Sequence, residues 1–350
     1  MSEKQNIRSL SKEELTALFI DKGEKAFRAK QVYEWLWKKG VTSFDEMTNL
    51  SFDLREMLKE NFVFNAVEVA EKQVSSDRTI KNAFRLYDDK ITEGVLIPTP
   101  NRMTACISSQ VGCSLSCAFC ATGKLARLRN IDAEEIFDQV VLIKNQAEEH
   151  YQSPLSNIVY MGMGEPLLNY KNVLRSIEMI TSPEGLGMSP KRITVSTAGI
   201  AKMIKQLGDD EVKFNLAVSL HAATDAKRSK IMPINDSNTL EALSEALIYF
   251  HEKTGSRVTF EYIIFKDFND SLEDAKNLAA FAKIVPCKIN IIEYNTIDDV
   301  EFLKADPEQT DKFAAFLENT FNLIVNVRRS RGKDIDAACG QLANKNEAAK

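Results

Sequence analysis

The sequence contains no apolar run approaching the roughly 20 residues that span a bilayer. Its opening, MSEKQNIRSLSKEEL, lacks the apolar stretch of a secretory signal. Both absences point to a cytoplasmic protein without membrane contact. Thiols stay reduced in that compartment, so the six cysteines suggest metal binding or catalysis and not a disulfide framework. No G-x-G-x-x-G follows the first strand of the α/β region, which weakens a dinucleotide-binding reading. No long Pro- or Ser-rich linker and no low-complexity tract divides the chain. The net charge of −5 argues against non-specific coating of nucleic acid. Acidic residues are missing altogether from Val95 to Ile131, where Arg102, Lys124, Arg127 and Arg129 are basic. A second basic stretch holds Arg328, Arg329, Arg331 and Lys333. Local patches of this kind steer a polyanion to one place; charge alone is equally consistent with two solvated loops.

What is present is an ordinary globular composition, 44% hydrophobic and 27% charged, long enough for one large core or two modest ones. Helical periodicity marks residues 11–21, the stretch FRAKQVYEWLWKKG up to Gly40, and residues 51–61. Of the two tryptophans in that stretch, Trp35 is expected in the core. Alternating runs, VEVAEKQVSS, TIKNAFRLYD and EGVLIP, then predict a short antiparallel sheet. From about residue 100 the pattern becomes strand then helix, repeatedly. The strands are MTACISS, NIVYMGM, RITVSTA, FNLAVSL, VTFEYIIF and KINIIEY, with LIVNVRR closing the series. Such alternation implies right-handed crossovers and a parallel sheet, either a partial barrel or an open doubly wound sheet. The expected domains are 1–94, an accessory module of helices and the short sheet; 95–335, the α/β core; and 336–350, a C-terminal segment. The polar tail after Gln341 is expected to fray.

Polar residues collect where the strands end: the cysteine loop, GMGEP, STAG, SLHA and EYN. Parallel α/β folds build their sites at that edge, so the five endings favour one shared site. The loop after the first strand carries Cys113, Cys117 and Cys120 in a C-x3-C-x2-C run, with Cys106 seven residues upstream. Structural zinc commonly uses two separated C-x2-C knuckles, and no second knuckle is present. Thiolates also suit 4Fe–4S clusters, where three cysteines leave one iron free for a small chelating molecule.

The run C-x3-C-x2-C, with Phe119 before its last cysteine, resembles the radical S-adenosylmethionine signature, and GMGEP resembles that superfamily's motif for the methionine amino group. CISSQVGC, GMGEPLLN, VSLHA, IMPIN and RGKDIDAACGQL together resemble the RlmN family, over nearly the whole chain. The resemblance implies a partial (β/α)6 barrel and a methyltransferase for carbon 2 of adenosine, acting at the peptidyl-transferase centre of 23S rRNA and beside the anticodon of tRNA. It implies one 4Fe–4S cluster on Cys113, Cys117 and Cys120, and two S-adenosylmethionine molecules per turnover. One methylates Cys339; reductive cleavage of the other gives a radical that activates the cysteine-bound methyl for addition to adenine. Cys106 then resolves the protein–RNA link by disulfide formation, and Glu93 is the implied proton acceptor. Gly164, Glu165, Ser196, Ser219, Leu220, His221 and Asn295 are implied to hold S-adenosylmethionine. A low-potential donor such as flavodoxin and a monomeric enzyme are further expectations. The alternatives are the sister Cfr-type activity at carbon 8, against which Pro166 and Arg331 lean, and a non-catalytic metal-bearing RNA-binding module.

Overall fold

The computed structural model describes residues 4–345 and 348. Three helices open the chain: α1 (Lys12–Asp21), α2 (Ala26–Tyr33) and α3 (Phe52–Asn61). Ser11 and Ser51 cap α1 and α3 by accepting from backbone amides of the first turn. Helix α2 runs on as a π-helical turn, Glu34–Lys39, which Gly40 ends at φ 66°. That extra turn rotates the face presented to the core, so the expectation for Trp35 is corrected. Trp37 is buried, 5.2 Å from the ring of Phe137, whereas Trp35 is half-buried and donates to Asn49.

Ten strands then form one sheet in strict chain order. The first four, β1 (Glu68–Val74), β2 (Ile80–Arg85), β3 (Ile91–Thr99) and β4 (Arg102–Cys106), pair antiparallel. From β4 onward every pairing is parallel: β5 (Asn157–Tyr160), β6 (Ile193–Thr197), β7 (Asn215–Ser219), β8 (Val258–Ile264), β9 (Cys287–Glu293) and β10 (Val325–Arg328). Helices α4 (Ala133–Tyr151), α5 (Tyr170–Thr181), α6 (Ala201–Asp209), α7 (Asp225–Ile231), α8 (Leu240–Thr254), α9 (Leu272–Ala282) and α10 (Pro307–Phe321) fill the crossovers. Six strand–helix units closed by a seventh parallel strand make the expected partial barrel. The antiparallel sheet is not a separate body, because the β3–β4 hairpin joins it to the barrel, and residues 94 and 95 both lie within β3.

The helical module docks on α4. Buried Arg8 forms a forked ion pair with Asp138 and donates to the Asn65 carbonyl, while Asn6 donates to Glu134 at 2.6 Å. The other face of α4 holds the barrel: Gln139 bonds both backbone groups of Ser108, and Glu135 pairs with Arg129.

Candidate active site

A cavity of about 240 Å³ opens at the C-terminal ends of the parallel strands. Five of the six cysteines face it: Cys106 from the end of β4, Cys113, Cys117 and Cys120 from the loop that follows, and Cys339 from the C-terminal segment. All six are free thiols, so the expected bridge between Cys106 and Cys339 is absent. Burial pushes the Cys106 thiol up to about 12, which keeps it protonated in this state.

The cysteine loop is held from three sides. The Ala118 amide donates to Ile231, the Ala121 amide to Gly340, and Thr122 Oγ1 to Leu342. Phe119 packs edge-on against His221, 4.7 Å between ring centres. Burial raises Cys113 and Cys117, so these thiols ionise when a bound cation displaces the proton. Among the described residues no three His, Cys, Asp or Glu side chains converge on a single ion. A donor set of three thiols spread around one end of a cavity fits a multi-iron cluster better than one zinc ion.

The GMGEP turn supplies the neighbouring wall. Gly164 adopts φ 94°, and a Cβ there would lie 2.4 Å from Gln110, so only glycine lets the turn pass. Glu165 is buried and held by the amides of Leu167 and Ala198 at 3.0 and 2.7 Å, with burial raising its carboxyl. An ammonium in the cavity would restore its charge. Ser196 and Ser219 also face the cavity from the ends of β6 and β7. His221 has φ 55° and accepts from the Ile263 amide through Nδ1, leaving Nε2 as the donor. Burial lowers it to about 3, so the ring stays neutral.

Other expected residues stand behind the wall. Leu220 is fully buried, and Asn295 donates to the Cys339 carbonyl at 3.3 Å. Glu93 lies on β3 outside the cavity lining. It pairs with Lys81 at 3.0 Å, and its Oε2 accepts from the amides of Ala343 and Asn344 at 2.8 and 3.1 Å. These bonds correct the frayed tail: residues 342–345 are tied to the barrel, with Leu342 buried. The last residues outside the description, 346, 347, 349 and 350, include part of that expected tail.

Two residues were not anticipated. Arg228 on α7 is fully buried and donates to the carbonyls of Ala198, Ser219 and Leu220 and to Asn235, so it ties the ends of β6 and β7 together. Glu261 on β8 is a buried carboxylate in the cavity wall. The basic stretches are partly neutralised. Arg129 pairs with Asp88 and Glu135, Arg329 with Glu293 and Asp311, Lys333 with Glu293, and Arg328 lies 3.7 Å from Glu261. Among the described residues Arg102, Arg127 and Arg331 form no ion pair, so the free positive charge is smaller than the sequence suggests.

Comparison with known proteins agrees with this geometry. Residues 5–64 match the ribosomal RNA large subunit methyltransferase N-terminal domain, and residues 107–281 match the radical SAM superfamily. A probable dual-specificity RNA methyltransferase RlmN of Cytophaga hutchinsonii is 61% identical over 98% of this chain and 93% of its own. Its counterpart in Salinibacter ruber is 43% identical over 98% of this chain and 95% of its own. The crystal structure of a radical SAM methyltransferase from Sphaerobacter thermophilus superposes with a TM-score of 0.91 at 36% identity, covering 97% of this chain and 99% of that one. A non-catalytic binding module is thereby set aside, and the relatives point to a radical SAM methyltransferase that acts on RNA: the chain is a member of the RlmN family of dual-specificity RNA methyltransferases.

Proposed function

We propose that this enzyme methylates carbon 2 of adenosine in both 23S rRNA and tRNA through a methylated Cys339, in the cytoplasm and as a monomer. Carbon 2 lies between two ring nitrogens and is a poor nucleophile, so ordinary polar methyl transfer does not suit it. Cys113, Cys117 and Cys120 would hold a 4Fe–4S cluster, which would supply the electron for reductive cleavage of S-adenosylmethionine. A flavodoxin-like donor is the proposed source of that electron.

The chain's own residues do the rest. Glu165 orients the amino group of S-adenosylmethionine, with Gly164 allowing close approach; Ser196, Ser219 and the Nε2 donor of His221 provide further hydrogen bonds, and Leu220 and Asn295 support that wall. Cys339 takes a methyl group as a nucleophile and presents it to the base. Cys106 then attacks the Cys339 sulfur of the covalent protein–RNA adduct and breaks its bond to the transferred carbon, which leaves with the electron pair on the base and is protonated to the methyl product; the resulting disulfide is reduced by a thiol reductant before the next turnover. Glu93 acts as the proton acceptor only after the tail amides release Oε2. The helical module, Arg102, Arg127 and Arg331 contact the RNA, whose target base is unstacked into the cavity.

The observation that carries this reading is that Cys106 and Cys339, from segments more than two hundred residues apart, face one cavity with the three loop thiols. The test is anaerobic assay with RNA, followed by mass spectrometry of nucleosides. Cys339→Ala keeps its iron and makes no 2-methyladenosine, and Cys113→Ala loses the iron. Product methylated at carbon 8, or methylation by Cys339→Ala, refutes the assignment.

A further inference from the structure

Glu261 has no role in the proposed reaction. Its side chain sits in the wall of the cavity, 3% exposed, within the otherwise mainly apolar run VTFEYIIF. Oε1 accepts from Asn290 at 2.8 Å, and Asn290 accepts from Asn326 at 3.4 Å, so a polar ladder crosses β8, β9 and β10. Oε2 is buried and has no hydrogen-bond partner among the described residues; Arg328, at 3.7 Å, is its ion-pair partner. Strands of parallel sheets are ordinarily apolar on both faces, and a buried ion pair rarely adds stability. Three neighbouring strands therefore give up apolar packing to keep one carboxylate inside the cavity.

Methylation of Cys339 needs such a group. The new S–C bond uses a sulfur lone pair, the methyl–sulfonium bond breaks with its electrons staying on the departing thioether, and the thiol proton must go to a base. Cys339 is exposed where the cavity opens, and Arg328 and Glu261 are the two charges that act on its thiol most strongly. The other groups around the cavity are committed. His221 stays neutral down to about pH 3, Cys106 holds its own proton up to about 12, and Glu165 faces the S-adenosylmethionine end with its oxygens on backbone amides. Glu93 lies outside the lining. Burial raises Glu261 itself while Arg328 and Asn290 lower it, with Lys288 a further positive charge.

We propose that Glu261, steadied by Asn290 and Arg328, accepts the Cys339 proton, directly or through one water, as that thiol is methylated by S-adenosylmethionine. This rests on Cys339 being the methyl acceptor. The test follows single-turnover transfer of labelled methyl to Cys339 in holoenzyme across a pH series, beside iron content and reductive cleavage of S-adenosylmethionine. Glu261→Gln is expected to lower the methyl-transfer rate about 100-fold near neutral pH, with about tenfold recovery per pH unit as the thiol ionises unaided. Iron content stays at the wild-type level, and Glu261→Asp gives an intermediate rate. Methyl transfer by Glu261→Gln within about threefold of wild type overturns the proposal, as does a loss that is flat with pH or shared by iron content. A wild-type enzyme that never carries methyl on Cys339 refutes the acceptor role itself, so the two failures are distinguishable.

Discussion

Arg228 offers the sharpest test of how the pocket is held. Its guanidinium is fully buried and reaches Ala198, Ser219, Leu220 and Asn235 at 2.6, 3.3, 3.2 and 2.7 Å. Arg228→Met removes the donors and leaves those acceptors buried. A hydrogen bond from a charged donor contributes about 1.5–3 kcal/mol, but the variant no longer buries a cation, and burial already lowers this arginine to about 10. At about 1 kcal/mol net for each acceptor the loss is about 4 kcal/mol, a quarter or more of the stability of a typical domain. The same carbonyls sit at the ends of β6 and β7, beside Ser196 and Ser219, so affinity for S-adenosylmethionine should fall at least about tenfold. Arg228→Lys keeps the charge without the fork and should lose about half as much stability. Urea unfolding and equilibrium binding measure both effects. A loss below about 1 kcal/mol for Arg228→Met, with binding unchanged, would refute the reasoning.

Glu293 should make the fold acid-sensitive in one window. Burial alone would raise its carboxyl, but Arg329, Lys333 and Lys304 hold it at about 2, against an ordinary value of 4.5. A carboxyl lowered by folding contributes stability that is complete above about 4.5 and is lost as pH falls through about 2. Discounted for the half-exposed cations, that is about 2 kcal/mol, and Glu293→Gln should flatten the corresponding slope of the urea midpoint with pH. Trp37 tests the docking of the helical module. Trp37→Ala should cost about 3–5 kcal/mol, whereas Trp37→Phe, which also removes a buried indole N–H with no partner, should cost less than about 1.5 kcal/mol by the same unfolding assay.

The barrel was legible because its signals are local: apolar strands, helices between them, and polar residues at each strand end. The joining of β3 to β4 into one sheet was not, since the pairing is non-local and leaves no mark in either strand alone. The cysteine loop announced itself by spacing, while the tail did not. Its polar composition reads as frayed, but its anchor, Glu93, is 250 residues away from Ala343. Arg228 was hidden in DAKRSKI, where three basic residues share one short helix and nothing in the sequence marks the buried one. Glu261 carried a usable signal, a lone acid inside an apolar parallel strand, and the sequence reading passed over it. Trp35 is half-buried where a core position was expected because a π-helical turn shifts the face, and no residue type encodes that shift reliably.

Helix α4 grips the helical module through Arg8, Asn6 and Trp37 on one side and the cysteine loop and first barrel strand through Glu135 and Gln139 on the other. It therefore works as a gauge bar. If the module holds the RNA as proposed, the base reaches the cavity at a span set by one rod, not by a flexible tether. On that proposal two RNAs of different sequence would be substrates of one enzyme when each folds to place its target base at that same span, and dual specificity would be a match of lengths.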